Sequence, residues 1–152
     1  MSLSTDELDL ILSKNSVTKK FYVGTFPSCI FPSTRKRRYA FITNTDNHHE
    51  SGTHWNAWFI SDNQLTFFDS FGRSYGHPDF PETYGNFARR FNKISHSVLQ
   101  VQSKDSWMCG YFCVKFLYLQ CLGLNLKQFL EEFSTNLIVN DYNVLDFVDS
   151  II

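Results

Sequence analysis

The sequence predicts an α+β fold in which a mixed central β-sheet packs against a buried helix. Short runs of β-branched and aromatic residues, Phe21–Phe26, Tyr39–Thr43, Trp55–Ile60 and Leu65–Phe68, read as strands. From Cys109 to Leu122 apolar residues fall on nearly every side, as in a helix enclosed by other elements. With 152 residues, 43% of them hydrophobic and 17% aromatic, there is material for one dense core, so residues 1–152 are expected to form a single domain.

In chain order, Ser4-Thr5-Asp6-Glu7 has the form of a capping box ahead of Leu8-Asp9-Leu10-Ile11-Leu12, which predicts a short N-terminal helix. Strands follow at Phe21–Phe26 and Tyr39–Thr43. The runs Trp55–Ile60 and Leu65–Phe68 flank the polar break Ser61-Asp62-Asn63-Gln64 and read as an antiparallel hairpin. Tyr84, Phe87, Ala88 and Phe91 recur at helical spacing between Pro81 and Ile94, predicting a surface helix with Pro81 in its first turn. Val98-Leu99-Gln100-Val101 is β-prone, and beyond the Cys109–Leu122 helix two more are expected, at Leu126–Phe133 and Val144–Ile151.

Cys109 lies where a loop becomes this apolar helix. The first N–H groups of a helix carry partial positive charge, so a sulfur there is favoured as its thiolate and becomes a nucleophile. A base is available at His54, just before Trp55, and an acid at Asp69, just after Phe68. In a hairpin with an even-numbered loop these two point to the same face. A two-residue turn at Asp62-Asn63 makes them diagonal neighbours, and a four-residue loop over 60–63 sets them directly opposite; either brings the carboxylate within reach of the imidazole. The acid would fix the ring tautomer and stabilise the imidazolium. Gln102, seven residues before Cys109, offers a neutral amide donor that, with the Cys109 backbone N–H, could bind an oxyanion. Gly110 leaves room beside the sulfur, and Trp55 stands where it could wall a groove for substrate backbone; both are substrate-contact candidates.

These residues resemble the adenovirus protease (adenain) family, within the broader group of ubiquitin-like-protein proteases. The resemblance runs through Phe21-Tyr22-Val23-Gly24-Thr25-Phe26, Ala40-Phe41-Ile42-Thr43-Asn44-Thr45, Gly52-Thr53-His54-Trp55, Phe68-Asp69-Ser70-Phe71-Gly72 and Gln102 to Cys113, in the order His, acid, Gln, Cys. It implies a thiol endopeptidase with His54 as base, Asp69 as orienting acid where adenovirus members use Glu, Gln102 as oxyanion donor and Cys109 as nucleophile. It further implies cleavage of viral precursor polypeptides at sites with small residues, notably glycine, during particle maturation in the host nucleus and virion. Adenovirus protease takes a peptide activator through a disulfide and uses DNA as a cofactor. Residues 87 to 99 contain no cysteine, so any activator here is expected to bind non-covalently, as a strand added to a sheet edge. The adenovirus enzymes also continue past the position of Ile152. Two other readings share these residues: a ubiquitin-like-protein deconjugating protease, and a catalytically silent binding module of the same fold.

The formal charge of −1 makes no overall demand for a nucleic-acid partner. The one basic cluster, Arg35-Lys36-Arg37-Arg38, reads as a solvated loop, with a nuclear import signal or a nucleic-acid contact as alternatives. Cys113 and Cys121 read as packing residues of the helix, and Cys29 as structural or incidental. A reducing intracellular compartment suits the four thiols, and no apolar stretch is long enough to span a membrane. His48-His49-Glu50 near His54 lacks metal-ligand spacing and reads as a loop, so no metal is expected. No cofactor is required by the sequence, and a monomer is expected.

Overall fold

The computed structural model describes residues 2–45 and 54–152. Helix α1 (Thr5–Lys14) starts where the capping box predicts: the Glu7 N–H donates to Ser4 Oγ at 3.2 Å, and the Ser4 N–H donates to the Glu7 carboxylate at 3.1 Å. There follow β1 (Tyr22–Phe26), β2 (Arg38–Asn44), β3 (Trp55–Ser61), β4 (Gln64–Phe68), α2 (Glu82–Ala88), β5 (Lys93–His96), α3 (Cys109–Cys121), α4 (Leu126–Glu131) and α5 (Leu137–Ile151). The strands form one sheet in the order β1-β2-β3-β4-β5, antiparallel in its middle and parallel at both outer pairs. This is the expected α+β architecture with a mixed sheet.

Side-chain alternation along the strands divides the interior in two. Ala40, Ile42, Trp55, Ala57, Phe59 and Phe68 face α3, whose Phe112, Val114, Phe116 and Leu117 are fully buried between the sheet and the other helices. Phe68 stacks on Phe116 with ring centroids 4.9 Å apart. The alternate residues, including Phe41, Trp58, Ile60 and Phe67, form a second core with Tyr84 and Phe87 of α2.

Three elements depart from the sequence reading. The helix expected over Pro81–Ile94 spans only Glu82–Ala88, with Pro81 as its N-cap, and Lys93–His96 instead pairs with β4 as an outer strand. Helical spacing at Phe91 gave no warning of this, because the parallel partner lies almost thirty residues away. The β-prone run at 98–101 forms no strand. Its backbone is held by a loop and a helix: the Val101 and Gln102 N–H groups both donate to the Ser70 carbonyl, at 2.9 and 3.1 Å, and Asn140 Nδ2 donates to the Val101 carbonyl at 3.0 Å. Helix α5 begins at Leu137, capped by Asn136, rather than at Val144.

The turn leaving β4 lets this loop approach. Gly72 has φ +80°, and a Cβ there would lie 2.7 Å from both Gln100 N and the Leu99 carbonyl carbon. Gly72→Ala is therefore expected to lower stability by about 2–4 kcal/mol, combining left-handed strain with overlap against backbone that cannot yield. Urea unfolding measures it.

Candidate active site

The β3–β4 register decides how His54 and Asp69 meet. Ser61 pairs with Gln64 and Ala57 with Phe68, closing a two-residue turn in which Asp62 (φ 48°) and Asn63 (φ 66°) are both left-handed, as a type I′ hairpin requires. Of the two alternatives the sequence left open, the diagonal one is therefore realised. Continuing the register puts Asn56 opposite Asp69, with His54 on the diagonal. His54 Nε2 lies 2.5 Å from Asp69 Oδ1, and the ring stacks on Phe71 at 5.1 Å. Nδ1 remains for the sulfur, and the ring is hydrogen-bonded to the Cys109 side chain.

Asp69 has no solvent exposure, and burial alone would push its carboxyl up. Its hydrogen bonds to His54 and Arg73 outweigh that and hold it at about 2. The Arg73 backbone N–H (3.0 Å) and Nε (2.9 Å) donate to Oδ2, Arg73 Nη2 (3.3 Å) and Asn56 Nδ2 (2.9 Å) donate to Oδ1, and the Asp69 N–H donates to Ser97 Oγ. Burial likewise opposes charge on His54, but the bonds to Asp69 and Cys109 lift it from 6.5 to about 9. The geometry thus favours an imidazolium held between a carboxylate and the sulfur.

Cys109 is the first residue of α3 and 4% exposed. Met108 contributes no side-chain cap and the first turn holds no acidic residue, so the helix's own first turn leaves its positive end at the sulfur. Gln102 is buried and its orientation is fixed. Ser70 Oγ donates to Oε1 at 2.5 Å, which turns Nε2 toward Ser106; there it donates to the carbonyl at 2.7 Å and approaches the hydroxyl at 3.3 Å. Among the described residues, the second N–H has only that longer contact, which an oxyanion could replace. From α5, Asp141 accepts from the Ser103 N–H (3.3 Å) and Ser103 Oγ, anchoring the loop that joins Gln102 to Cys109. His54, Gln102 and Cys109 open together on a cleft of ≈ 490 Å³ completed by Ser2, Phe71, Ser106 and Trp107.

The other candidates are placed differently. Trp55 is 2% exposed, its Nε1 donates to the Leu3 carbonyl at 3.0 Å, and it belongs to the core beneath the N-terminal segment. A Cβ on Gly110 would lie 3.2 Å from Leu3 Cβ and 3.3 Å from Trp55 Cδ1, so Leu3 fills the space expected for substrate. Trp55 and Gly110, the expected substrate contacts, thus pack against Leu3, and Ser2 lines the cleft beside the sulfur. Arg35, Lys36, Arg37 and Arg38 lie in an exposed segment running into β2 at the end away from His54, about 20 Å along the strand. Arg37 pairs with Asp62 at 3.1 Å, Lys36 Nζ donates to the Lys20 carbonyl, and Arg38 lies over the Phe21 ring. Cys113 is buried, and burial pushes its thiol up, as it does Cys121 to about 12. His48, His49, Glu50, Gly52 and Thr53 lie outside the described residues. Among the described residues, no helix is long and apolar enough to cross a membrane.

Arg73, Asn56, Ser70 and Ser106 were missed by the sequence reading. Arg73 could have been found four residues after the acid, across a glycine turn. The others are ordinary polar residues until the fold aims them.

Stability should follow these two ionisations. Asp69, held down, contributes above 3.8 and loses its contribution as pH falls toward about 2; His54, held up, contributes below 6.5 and loses its contribution as pH rises through about 9. In Arg73→Gln the Asp69 carboxyl is held down less, so its contribution should be smaller and its acid-side loss, which still begins near 3.8, should be complete at higher pH, while the alkaline side moves little. Melting temperature against pH for both proteins measures this.

No family model matches the sequence. It is similar to the protein named Protease from Snake adenovirus serotype 1, 28% identical over 131 residues, covering 76% of this chain and 63% of that protein. The chain thus spans less than two thirds of that relative. In three dimensions it is similar to the crystal structure of an ASFV protease, with TM-score 0.52 and 15% identity over 71% of this chain and 43% of that one. The sheet and its buried helix are therefore a fold shared with a viral protease, and the adenovirus likeness read from the sequence is matched by an adenovirus relative.

Proposed function

We propose that this chain is a cysteine endopeptidase of a virus or virus-derived element that cleaves viral precursor polypeptides. The observation that carries the reading is the meeting of Cys109, His54 and Gln102 at one cleft, with the buried Asp69 carboxylate bonded to the far side of the His54 ring. The Cys109 thiolate attacks the scissile carbonyl carbon, and the electron pair displaced onto oxygen is held by the Cys109 backbone N–H and Gln102 Nε2. The tetrahedral intermediate collapses as imidazolium His54 protonates the leaving amine, giving an acyl-enzyme. Neutral His54 then takes a proton from water as the hydroxyl attacks the thioester, and Cys109 leaves as thiolate. Asp69 keeps Nε2 protonated and offsets the ring's charge in both halves.

Particle maturation, cleavage at small or glycine-containing sites, and residence in the host nucleus and virion come from the family resemblance. Within this proposal the protein acts as a monomer. Where an activator is used, an extended peptide would add to the outer edge of β5, beside a groove formed by Val98, Leu99, Leu126, Leu130 and Phe133. DNA would meet the exposed Arg35–Arg38 segment. A ubiquitin-like-protein deconjugating activity is the alternative within the same chemistry, and a silent binding module the alternative outside it.

A peptide-library digest beside Cys109→Ala tests the proposal and reads its specificity: cleavage that disappears in the variant supports it, whereas equal digestion by both, or none by either with activator peptide and DNA supplied, would sink it. Gln102→Ala should lower kcat by about a hundred- to a thousand-fold, as removal of an oxyanion donor does. Neutralising Arg35, Lys36, Arg37 and Arg38 should abolish any stimulation by DNA and leave DNA-free turnover unchanged.

A further inference from the structure

The second core, on the far side of the sheet from α3, contains a hydrogen-bond chain that ends at the proposed acid. Trp58 Nε1 lies 2.9 Å from Thr43 Oγ1, Thr43 Oγ1 lies 2.7 Å from the Tyr84 hydroxyl, that hydroxyl lies 3.0 Å from Asn56 Oδ1, and Asn56 Nδ2 lies 2.9 Å from Asp69 Oδ1. All five residues have 0% exposure. The chemistry of the two ends fixes the direction of every bond. The Trp58 indole can only donate, so Thr43 accepts from it and passes its single hydroxyl hydrogen on to Tyr84. The ionised Asp69 carboxylate can only accept, so Asn56 must turn its NH₂ toward it and its Oδ1 toward Tyr84. The Tyr84 hydroxyl therefore accepts from Thr43 and donates to Asn56. Burial pushes this phenol far above its ordinary range, so the hydroxyl keeps the hydrogen it donates. Its ring is wedged against Trp58, Phe67 and Phe80, with centroids 5.0 to 5.8 Å away.

We propose that Tyr84 is a positioning residue for the reaction above: its hydroxyl, set by Thr43 and Trp58, donates to Asn56 Oδ1 and so holds the amide in the orientation that Asp69 also requires, keeping a donor aimed at the same Asp69 oxygen that holds His54. This rests on the Cys109–His54–Asp69 reading. Without the hydroxyl, the buried Asn56 Oδ1 loses its donor, and the amide is held from the Asp69 side alone, so its bond to the carboxylate loosens. Asp69 then swings or takes up a proton, and the His54 ring loses its fixed partner. Chains of this kind polarise one another along their length, so a change at Tyr84 is felt two residues away. Nothing in the pattern His-Trp-Asn announces this role, because the residue that orients Asn56 comes from α2, twenty-eight positions further on.

A double-mutant cycle tests the proposal, with kcat and KM on a cleaved peptide and with the pH profile of Cys109 alkylation by iodoacetamide, which reads the thiolate–imidazolium pair without any substrate. Among the described residues, the titratable and charged groups facing that pair are Asp69, Cys113 of α3 and, behind Asp69, Arg73 with Asp79, and Tyr84 beyond Asn56. Tyr84→Phe should lower kcat about ten-fold with KM nearly unchanged, and should reduce Cys109 reactivity on the acid side of the profile. Asn56→Leu should give a similar loss, and the double variant should be no worse than Asn56→Leu alone. The proposal is overturned if Tyr84→Phe lowers the melting temperature but leaves kcat and the alkylation profile at wild-type values, or if the two losses multiply. Should Tyr84→Phe fail to fold, Thr43→Val against Thr43→Ser reads the same chain: a several-fold loss in the first, restored by the hydroxyl of the second, supports it, and equal behaviour of the two overturns it. If no peptide is cleaved the protease reading fails, yet the alkylation profiles still decide whether Tyr84 acts on the pair.

Discussion

A carboxylate without solvent is the constraint around which this molecule is arranged. Asp69 sits where burial strongly disfavours its charge, and it stays ionised because donors converge on both of its oxygens. Those donors come from different parts of the chain: Arg73 from the turn after β4, Asn56 from the neighbouring strand, His54 from the diagonal position. A carboxylate held this way cannot relax toward water, so the ring it holds has one orientation and one nitrogen to spare. The chemistry proposed for Cys109 follows from that rigidity more than from any property of the sulfur itself.

The sheet and α3 supply the rest of the geometry by ordinary packing. A helix buried on nearly all sides has its start fixed by what surrounds it, and here the first residue of that helix is the nucleophile. The Ser70 carbonyl receives the Val101 and Gln102 N–H groups, so the turn that presents the acid also positions the oxyanion donor. Leu3 lies across Trp55 and Gly110, and Ser2 beside it lines the cleft. The opening left at the sulfur is therefore bounded by Ser2, Phe71 and Trp107 rather than by the sheet aromatics.

The parts of this site legible in the sequence were those that depend on local periodicity. Strand alternation and an even hairpin loop place His54 and Asp69 on one face whatever the turn length, and the apolar all-round pattern marks where α3 starts. The turn type was open because Asp62 and Asn63 suit more than one loop, and the register decided it. Contacts between distant segments were not legible. Gly110 and Trp55 looked available because nothing local reveals that Leu3 packs on them. Arg73 and Asn56 carry no signal until Asp69 is known to be buried, and β5 was hidden inside a helical spacing because only its pairing with β4 makes it a strand.

The state of the His54 ring tests the account most directly. Nitrogen-15 NMR of the imidazole across a pH series, in the wild-type protein and in Asp69→Asn, reports both its charge and its tautomer. The account predicts a wild-type ring that stays protonated until pH approaches about 9 and titrates markedly lower once the carboxylate is gone. A ring that titrates near 6.5 in both proteins would contradict it.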